Sequence, residues 1–211
     1  MNYLDVENIS HIYEGADKPT FEGLTLHLSK GETIAVHGPS GCGKTTLFRC
    51  LAGFENIRTG EIKIEGRVVA ESSRSIPPND RGIGVVMQNF ALFPHLSLEK
   101  NIEFGLHHMA REDREARVKH LIEMTHLQAC AKSYPQEVSG GQQQRAAIAR
   151  AIAPQPNILL MDEPFANLDD SLKQKIKSEM TELLRENEMT TLIISHNLSE
   201  LEGVIDRDIS L

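Results

Sequence analysis

Residues Thr33–Gly53 read TIAVHGPSGCGKTTLFRCLAG and place an apolar run, a glycine-rich loop and a helical segment in direct succession. The run Thr33–His37 is nearly continuous in apolar residues, which is typical of a parallel strand that is buried on both faces. We expect residues Thr46–Gly53 to form a helix. A buried strand that enters a helix through a short loop indicates a parallel α/β sheet.

The remainder of the chain supplies further strands and helices of the same kind. Three short runs are again nearly continuous in apolar residues: Ile83–Met87, Asn157–Met161 and Thr191–Ser195. Apolar residues at helical spacing mark Val118–Met124 and Leu172–Leu184 as helices. Between about residues 89 and 155 we find no strand pattern, so we expect a helical subdomain inserted into the sheet domain.

Two N-terminal stretches alternate apolar and polar residues instead, as half-buried strands do. They are the first 30 residues, with Leu24, Leu26 and Leu28, and Glu61–Val69, with Ile62, Ile64 and Val68. The predicted fold class is therefore α/β, with a mainly parallel core sheet and an antiparallel portion near the N-terminus.

The composition excludes several functional classes. The 211 residues include 30 acidic and 22 basic side chains, so the formal net charge is −8. This balance argues against a nucleic-acid-binding protein with a broad basic face. No run approaches the roughly 20 apolar residues that cross a bilayer, and Asp5 and Glu7 interrupt any secretory signal. The three cysteines form no CxxC pair, which fits a reducing compartment, so we expect a soluble cytosolic protein that binds no nucleic acid.

The loop Gly38–Thr45 matches the phosphate-binding pattern G-x-x-x-x-G-K-[ST] at every position. Glycines allow successive backbone N–H groups to turn toward phosphate oxygens, and the N-terminus of the following helix adds partial positive charge. Lys44 can reach the terminal phosphates, and the hydroxyl of Thr45 can ligate Mg²⁺. The motif predicts a nucleoside triphosphate site without indicating what the triphosphate is used for.

The apolar run Asn157–Met161 is followed directly by two acids, Asp162 and Glu163. Since consecutive side chains of a strand point to opposite faces, we expect the two carboxylates to have different roles. In an enzyme with a phosphate loop, one acid faces Mg²⁺ and its neighbour is free to act as general base toward the attacking water. An acid pair that begins a surface turn before Pro164 is the structural alternative.

A second glycine motif, Ser139-Gly140-Gly141-Gln142, precedes the alanine-rich run Ala146–Ala153, which has high helix propensity. Ser139 is a good N-cap, and the two glycines leave backbone amides accessible at the start of the helix. The chain therefore has a second helix terminus that can bind an anion. Simple capping of a structural helix would explain the same residues.

Taken together, these motifs resemble those of the ATP-binding subunit of an ABC (ATP-binding cassette) transporter, because Ser-Gly-Gly-Gln matches the signature of that family. The resemblance extends from about Tyr3 to Leu211. Four further family motifs occur in the expected order: Tyr13, which lies 25 residues before Gly38, then Gln88, Asn167-Leu168-Asp169 and His196. Each of them alone would be explained as well by packing or by a structural hydrogen bond.

The resemblance implies a P-loop fold with a RecA-like core over about residues 1–88 and 156–211 and a helical subdomain over 89–155. It also implies a head-to-tail dimer, homodimeric or built from paired cassettes, that holds ATP and Mg²⁺ between its subunits. Catalytic roles would fall to Glu163, which polarises water, to His196, which holds the γ-phosphate, and to Gln88 and Lys44.

The same resemblance assigns the ligand-binding residues. Mg²⁺ would be held by Thr45, Gln88 and Asp162. Nucleotide would be bound in one subunit by Tyr13, Gly38, Pro39, Ser40, Gly41, Cys42, Gly43, Lys44, Thr45, Thr46, Gln88, Asp162 and His196, and in the other by Ser139, Gly140, Gly141 and Gln142. The segment Asn167-Leu168-Asp169 would cross the dimer interface.

Membrane partners are implied as well. The apolar segment Phe90–Leu98 follows Gln88 directly, and in importers of the family this region receives a coupling helix from a transmembrane permease. Burial of Phe90, Leu92 and Phe93 in the helical subdomain is the alternative. This region is most similar to bacterial importer ATPases for ferric iron, polyamines, sulfate and maltose-type sugars, which act at the inner face of the membrane with a periplasmic or extracellular solute-binding protein.

Several alternatives within and outside this class stay open. Cassettes of exporters, of lipoprotein release and of cell division share these motifs. A DNA-repair ATPase is disfavoured because the 95 residues between Lys44 and Ser139 leave no room for its coiled coil, and translation members carry two cassettes. The second glycine motif and His196 disfavour a small-metabolite kinase. Importers of this type usually carry a C-terminal regulatory domain, whereas we expect one ATP-binding domain over residues 1–211 without it.

Overall fold

The computed structural model describes residues 2–166 and 170–211. Within these residues the strands are β1 (Asn2–His11), β2 (Phe21–Ser29), β3 (Thr33–His37), β4 (Thr59–Ile64), β5 (Arg67–Glu71), β6 (Arg74–Ser75), β7 (Ile83–Val86), β8 (Ile158–Asp162), β9 (Thr190–Ile194) and β10 (Arg207–Ser210). The α-helices are α1 (Lys44–Ala52), α2 (Leu98–Glu103), α3 (Arg111–Met124), α4 (Gly140–Ile152) and α5 (Asp170–Glu186).

The core sheet has the strand order β10-β3-β9-β8-β7, and all of its neighbouring strands are parallel. Its strands β3, β7, β8 and β9 lie within one residue of the four predicted apolar runs. The predicted parallel core sheet is thereby confirmed.

The second sheet is antiparallel, with the order β2-β1-β4-β5-β6, which confirms the predicted antiparallel portion. The strand-like segment predicted over Glu61–Val69 contains two strands, because β4 and β5 form a hairpin. Glu65 and Gly66 make its turn and both have positive φ, 50° and 76°, as a two-residue type I′ turn requires. The reversal changes the alternation, so Val69 is buried whereas Val68 is exposed.

Residues of the core sheet contribute side chains to two separate hydrophobic cores, one on each face of the sheet. Ile34 and Val36 of β3 pack with the antiparallel sheet and α1, whereas Ala35 between them packs with the helices on the opposite face. On β8, Leu160 and Met161 divide between the two cores in the same way. The parallel sheet is therefore the middle layer, and its burial on both faces explains the continuous apolar runs.

The helices α2, α3 and α4 follow one another between β7 and β8. Residues 89–155, all of which the structure describes, form helices and turns and no strand. No helix in the described part of the chain combines the length and the apolar character needed to cross a membrane.

The topology brings four loops to one edge of the core sheet. Gly38 follows β3, Gln88 comes shortly after β7, Glu163 follows β8 and His196 comes shortly after β9. Because parallel strands end at the same edge, these residues lie together at the carboxyl end of the sheet, where α/β proteins bind their ligands.

Candidate functional site

An open cavity of about 450 Å³ lies at the carboxyl edge of the core sheet. Most of the predicted site residues line it: Tyr13, Ser40, Gly41, Gly43, Lys44, Thr45, Thr46, Gln88, Asp162, Glu163 and His196. Thr20 and Ile194, which the sequence did not single out, complete the lining. Gly38, Pro39 and Cys42 belong to the same loop but are not part of the lining.

The glycine loop shapes the start of α1 into an anion site. Gly43 has φ 104°, and a Cβ there would come within 3.2 Å of the Phe21 ring and of the carbonyl oxygen of Thr20. Only glycine fits this position without displacing β2. The first N–H groups of α1 have no partner within the helix, so they and the positive end of the helix dipole are available to phosphate oxygens.

Lys44 is buried at the base of this loop. Its ammonium group donates to the carbonyl oxygens of Gly38 at 2.7 Å and Pro39 at 2.9 Å. The loop therefore holds the cation at its own centre, and the ammonium group can exchange these neutral acceptors for the stronger charged acceptors of a phosphate group.

Tyr13 stands at the rim of the cavity. Its hydroxyl forms a hydrogen bond of 2.9 Å with the hydroxyl of Thr46 on α1, and its ring packs edge-on against His11 at 4.6 Å between centroids. The side chain remains 40% exposed. An aromatic ring that is held at its hydroxyl and partly exposed can stack on a planar base.

Asp162 and Glu163 diverge by a different route from the one expected. The strand β8 ends at Asp162, and Glu163 has φ 48°, so the side chains are not alternate positions of one strand. Burial raises the pKa of Asp162 and the Glu163 carboxylate raises it further, whereas Arg49 and Lys44 lower it by less. The surroundings of Asp162 therefore disfavour its ionised form.

The carboxylate of Glu163 is bonded to the residues that follow β9. Its Oε1 atom accepts from the backbone N–H of His196 at 2.9 Å and from Nδ1 of the same residue at 2.7 Å. The hydroxyl of Ser195 donates to Oε2 at 3.4 Å. These bonds fix the carboxylate at the cavity wall, where it can accept a proton from a bound water.

Three oxygen-bearing side chains of the lining have the chemistry that Mg²⁺ prefers: the hydroxyl of Thr45, the amide of Gln88 and the carboxyl of Asp162. No cluster of three or more His, Cys, Asp or Glu side chains suited to a metal occurs among the described residues. An ion here would therefore be held by few protein ligands together with substrate phosphates and water, as Mg²⁺ usually is.

The second glycine motif lies outside this cavity. Ser139 is the N-cap of α4, with its hydroxyl accepting from the backbone N–H of Gln142 at 3.3 Å, while Oε1 of Gln142 accepts from the backbone N–H of Ser139 at 2.9 Å. Neither these residues nor Gly140 and Gly141 are among those that line the cavity. The predicted interface segment Asn167-Leu168-Asp169 lies outside the described residues.

The apolar segment Phe90–Leu98 is divided between core and surface. Phe90 is only 6% exposed and Leu98 is fully buried, so for these two residues the prediction of a docking surface is wrong. Phe93 is half-buried, and the centroid of its ring lies 4.4 Å from the ring centroid of Phe104. The side chain of Phe104 is 57% exposed. The exposed aromatic surface of this region is thus centred on Phe104, which the sequence did not single out.

Comparison with known proteins identifies the family of this chain. A family model described as "ABC transporter" matches residues 21–166, about two thirds of the chain. The chain belongs to the ABC transporter family. Its resemblance to that family, inferred from the signature motif, is confirmed.

Curated relatives and a solved structure agree with this assignment. The ABC chain is 39% identical over 208 residues to "Spermidine/putrescine import ATP-binding protein PotA" of Roseobacter denitrificans, covering 98% of this chain and 56% of the relative. It is 40% identical to "Fe(3+) ions import ATP-binding protein FbpC" of Mesorhizobium japonicum, covering 95% and 55%. The chain thus spans about half the length of the curated relatives it matches.

The solved structure is the ATP-binding cassette MJ0796 in a dimeric post-hydrolysis state bound to ADP and Pi. It shares 29% identity and a TM-score of 0.81 with this ABC chain, covering 99% of this chain and 94% of that one. The predicted fold class, an ABC cassette with a parallel core sheet and an antiparallel portion, is confirmed.

Proposed function

We propose that this chain binds ATP with Mg²⁺ and hydrolyses it to drive solute import by an ABC transporter. One observation carries the proposal: the loops after β3, β7, β8 and β9 converge on a single cavity that combines a phosphate loop with two acids, an amide and an imidazole. That set contains an anion cradle, oxygen donors for a divalent cation and a candidate base for water, which is what triphosphate hydrolysis needs.

The residues of the cavity divide the work. Gly38–Thr46 would cradle the phosphates through backbone N–H groups and Lys44, and Tyr13 would stack on the base. Thr45, Gln88 and Asp162 would hold Mg²⁺, which neutralises charge on the phosphates when bound. Glu163 would accept the proton of the attacking water.

His196 would hold the γ-phosphate beside Glu163, the general base. Its imidazole is bonded to Glu163 through Nδ1 at 2.7 Å, which leaves Nε2 as the second polar atom of the ring. A protonated imidazole can donate from both nitrogens at once, so His196 can bridge the carboxylate and a phosphate oxygen.

A dimer would complete each site. The anion-binding start of α4, with Ser139, Gly140, Gly141 and Gln142, does not contribute to the cavity of its own chain. The cavity is open to the outside, so a second subunit can present the same motif to it. The related cassette MJ0796 was solved as a dimer bound to ADP and Pi, which supports dimerisation.

Import is favoured over export because the curated relatives at 39% and 40% identity are named as import proteins for spermidine/putrescine and for Fe(3+) ions. The partners would be transmembrane permease subunits and a solute-binding protein outside the membrane. The chain would then lie on the cytoplasmic face of the cell membrane, attached through the permease.

The test is hydrolysis of MgATP by the purified chain, measured as phosphate release. Lys44→Ala should lower the rate about a hundredfold, because it removes the cation that contacts the terminal phosphates. Lys119→Ala, at an exposed position on α3, is the matched control and should retain the full rate. Equal rates for the two variants would contradict the assignment of this cavity.

A further inference from the structure

The segment directly after Gln88 contains an uncommon backbone conformation. Phe90 and Ala91 both have positive φ, 60° and 45°, although neither is a glycine. Left-handed backbone is costly for such residues and persists only where the surroundings hold it. The N–H of Phe90 donates to the carbonyl oxygen of Met87 at 2.8 Å and closes the turn around Gln88. We refer to Met87–Ala91 as the Gln88 turn.

Arg150 holds this turn from the last turn of α4. Its Nη1 donates to the carbonyl oxygen of Ala91 at 2.6 Å, and its Nη2 donates to that of Phe90 at 2.9 Å. The guanidinium also lies 5.5 Å from the ring centroid of Phe93, within the range of a cation–π contact. One planar group thus contacts three residues of the segment that follows Gln88.

A different side chain anchors the rest of that segment. Asn101 of α2 is fully buried, and its Oδ1 accepts from the N–H of Phe93 at 2.7 Å. Its Nδ2 donates to the carbonyl oxygens of Phe93, Leu96 and Ser97. Asn101 therefore fastens the later residues to α2, whereas Arg150 connects the Gln88 turn to α4.

The helix α4 extends this connection to the second glycine motif. Ser139 caps its first turn and Arg150 lies in its last turn. At about 1.5 Å per residue, the two are separated by roughly 16 Å of continuous hydrogen-bonded helix. If the Gln88 turn moves and Arg150 moves with it, the stiff helix α4 transmits that displacement to Ser139.

We propose that Arg150 is a positioning residue that makes the Gln88 turn and α4 move as one body, so that nucleotide contact in the cavity displaces the Ser139 end of the same chain. The inference rests on the proposed function, in which Gln88 approaches Mg²⁺ and Ser139 contacts the nucleotide of a second subunit. Arg150 touches neither ligand and acts through the carbonyl oxygens of Phe90 and Ala91.

The chain offers a matched control for this role. Arg117 of α3 donates through Nε to the carbonyl oxygen of Ala153 at 3.2 Å and through Nη2 to that of Ile152 at 3.0 Å. Burial lowers the pKa of Arg117 and of Arg150 alike. Both arginines thus fork onto two consecutive carbonyls, but Arg117 bonds the end of α4 and not the Gln88 turn.

The experiment compares Arg150→Lys with Arg117→Lys. Lysine keeps the charge but lacks the planar fork, so it cannot bond both carbonyls with the same geometry. For Arg150→Lys we expect kcat for MgATP to fall about tenfold with KM changed less than about threefold, the scale of a lost coupling contact. For Arg117→Lys we expect both constants to stay near those of the parent chain.

A spectroscopic readout reports on the segment itself. The sequence contains no tryptophan, so Phe104→Trp introduces a single one beside the ring of Phe93, 4.4 Å away in the native chain. MgATP should change the emission of this reporter when Arg150 is present. Arg150→Lys should abolish the change while nucleotide still binds, and Arg117→Lys should leave it intact.

Each outcome decides the matter. A reporter that does not respond to MgATP in the presence of Arg150, or equal kcat values and equal emission changes for the two variants, would overturn the inference. If Arg150→Lys lowers the melting temperature well below that of Arg117→Lys, Arg150→Gln is measured by the same criteria, because it has no charge to bury. Absence of hydrolysis in the parent chain would count against the proposed function instead.

Discussion

One carboxylate oxygen of Glu163, Oε1, accepts two hydrogen bonds from His196: one from its backbone N–H at 2.9 Å and one from its Nδ1–H at 2.7 Å. A carboxylate accepts hydrogen bonds and does not donate them, so Nδ1 carries the proton. In a neutral ring Nε2 is then an acceptor, and it becomes a donor only when the ring is protonated. The residue that would meet the phosphate is thus oriented by the residue that would activate water.

Replacing Glu163 by Gln should stop turnover and spare ATP binding. The amide cannot accept the proton of the attacking water, and loss of a general base costs about 10²- to 10⁴-fold in rate. We expect an ATP-dependent dimer to accumulate on a sizing column. Glu123→Gln, at an exposed position on α3, should hydrolyse normally, and near-normal turnover by Glu163→Gln would exclude Glu163 as the base.

Ser139→Arg should abolish hydrolysis with little loss of nucleotide affinity, because Ser139 lies outside the cavity of its own chain. Mixing it with a Lys44→Ala chain should restore activity, since a heterodimer then has one site with an intact phosphate loop and an intact Ser139. Phosphate release by the mixture is the measurement. Background activity in a mixture with proven heterodimers would indicate that the two motifs act within one chain.

Asp162→Asn should stabilise the nucleotide-free chain at neutral pH. The folded chain raises the pKa of Asp162 above the ordinary 3.8, so it binds the proton more tightly than the unfolded chain. Above that raised pKa the ionised carboxylate therefore destabilises the fold. This destabilisation disappears as the pH falls from the raised pKa to the ordinary value of 3.8.

The measurement is the melting temperature of Asp162→Asn against the parent chain as a function of pH, with exposed Asp113→Asn as control. With MgATP present the order should reverse, because the variant lacks the carboxylate that would hold the cation. A variant less stable than the parent at neutral pH without nucleotide would contradict the electrostatic interpretation.

The three thiols should differ sharply in reactivity. Burial raises the pKa of Cys50 to about 12 and raises that of Cys130 as well, and only the thiolate is nucleophilic. Cys42 is half-buried in the phosphate loop. Maleimide should therefore modify Cys42 first, and MgATP should slow the reaction, as mass spectrometry can measure. Faster labelling of Cys50, or no protection by nucleotide, would contradict this expectation.

Phe104→Asp should leave the fold intact but prevent co-purification with a permease, the membrane partner proposed above. The side chain is 57% exposed, so its loss should change the melting temperature little, whereas Phe90→Asp places a charge in the core and should unfold the chain. Normal co-purification of Phe104→Asp would remove this surface from the docking site.

The sequence predicted those parts of the molecule whose physics is local. Continuous apolar runs located β3 and β9 within one residue, and the glycine loop located the start of α1, because burial on both faces and phosphate binding each demand particular residue types. The turn at Glu65 was missed because the alternation of apolar residues continued in register across it. The direction of the Glu163 side chain depends on a positive φ at that residue. The sequence gives no sign of this φ, because the position is not a glycine.

Long-range contacts were beyond the reach of sequence patterns. The bond between Tyr13 and Thr46 joins residues 33 positions apart, and those of Arg150 reach back 59 and 60 positions. Arginine in an alanine-rich helix is as compatible with a solvated face as with a carbonyl clamp. Only the packing of α4 against the segment after β7 distinguishes the two.

The division of the interior into two cores has a consequence for how such a chain can diversify. The residues of β3 and β8 alternate between the cores, so a substitution on the helical side leaves the packing around α1 nearly untouched. Substitutions can therefore accumulate in α2, in α3 and around Phe104, which lies between these two helices, with little effect on the packing that supports the phosphate loop. If the proposed transport role holds, one nucleotide site can in this way serve permeases with different docking surfaces.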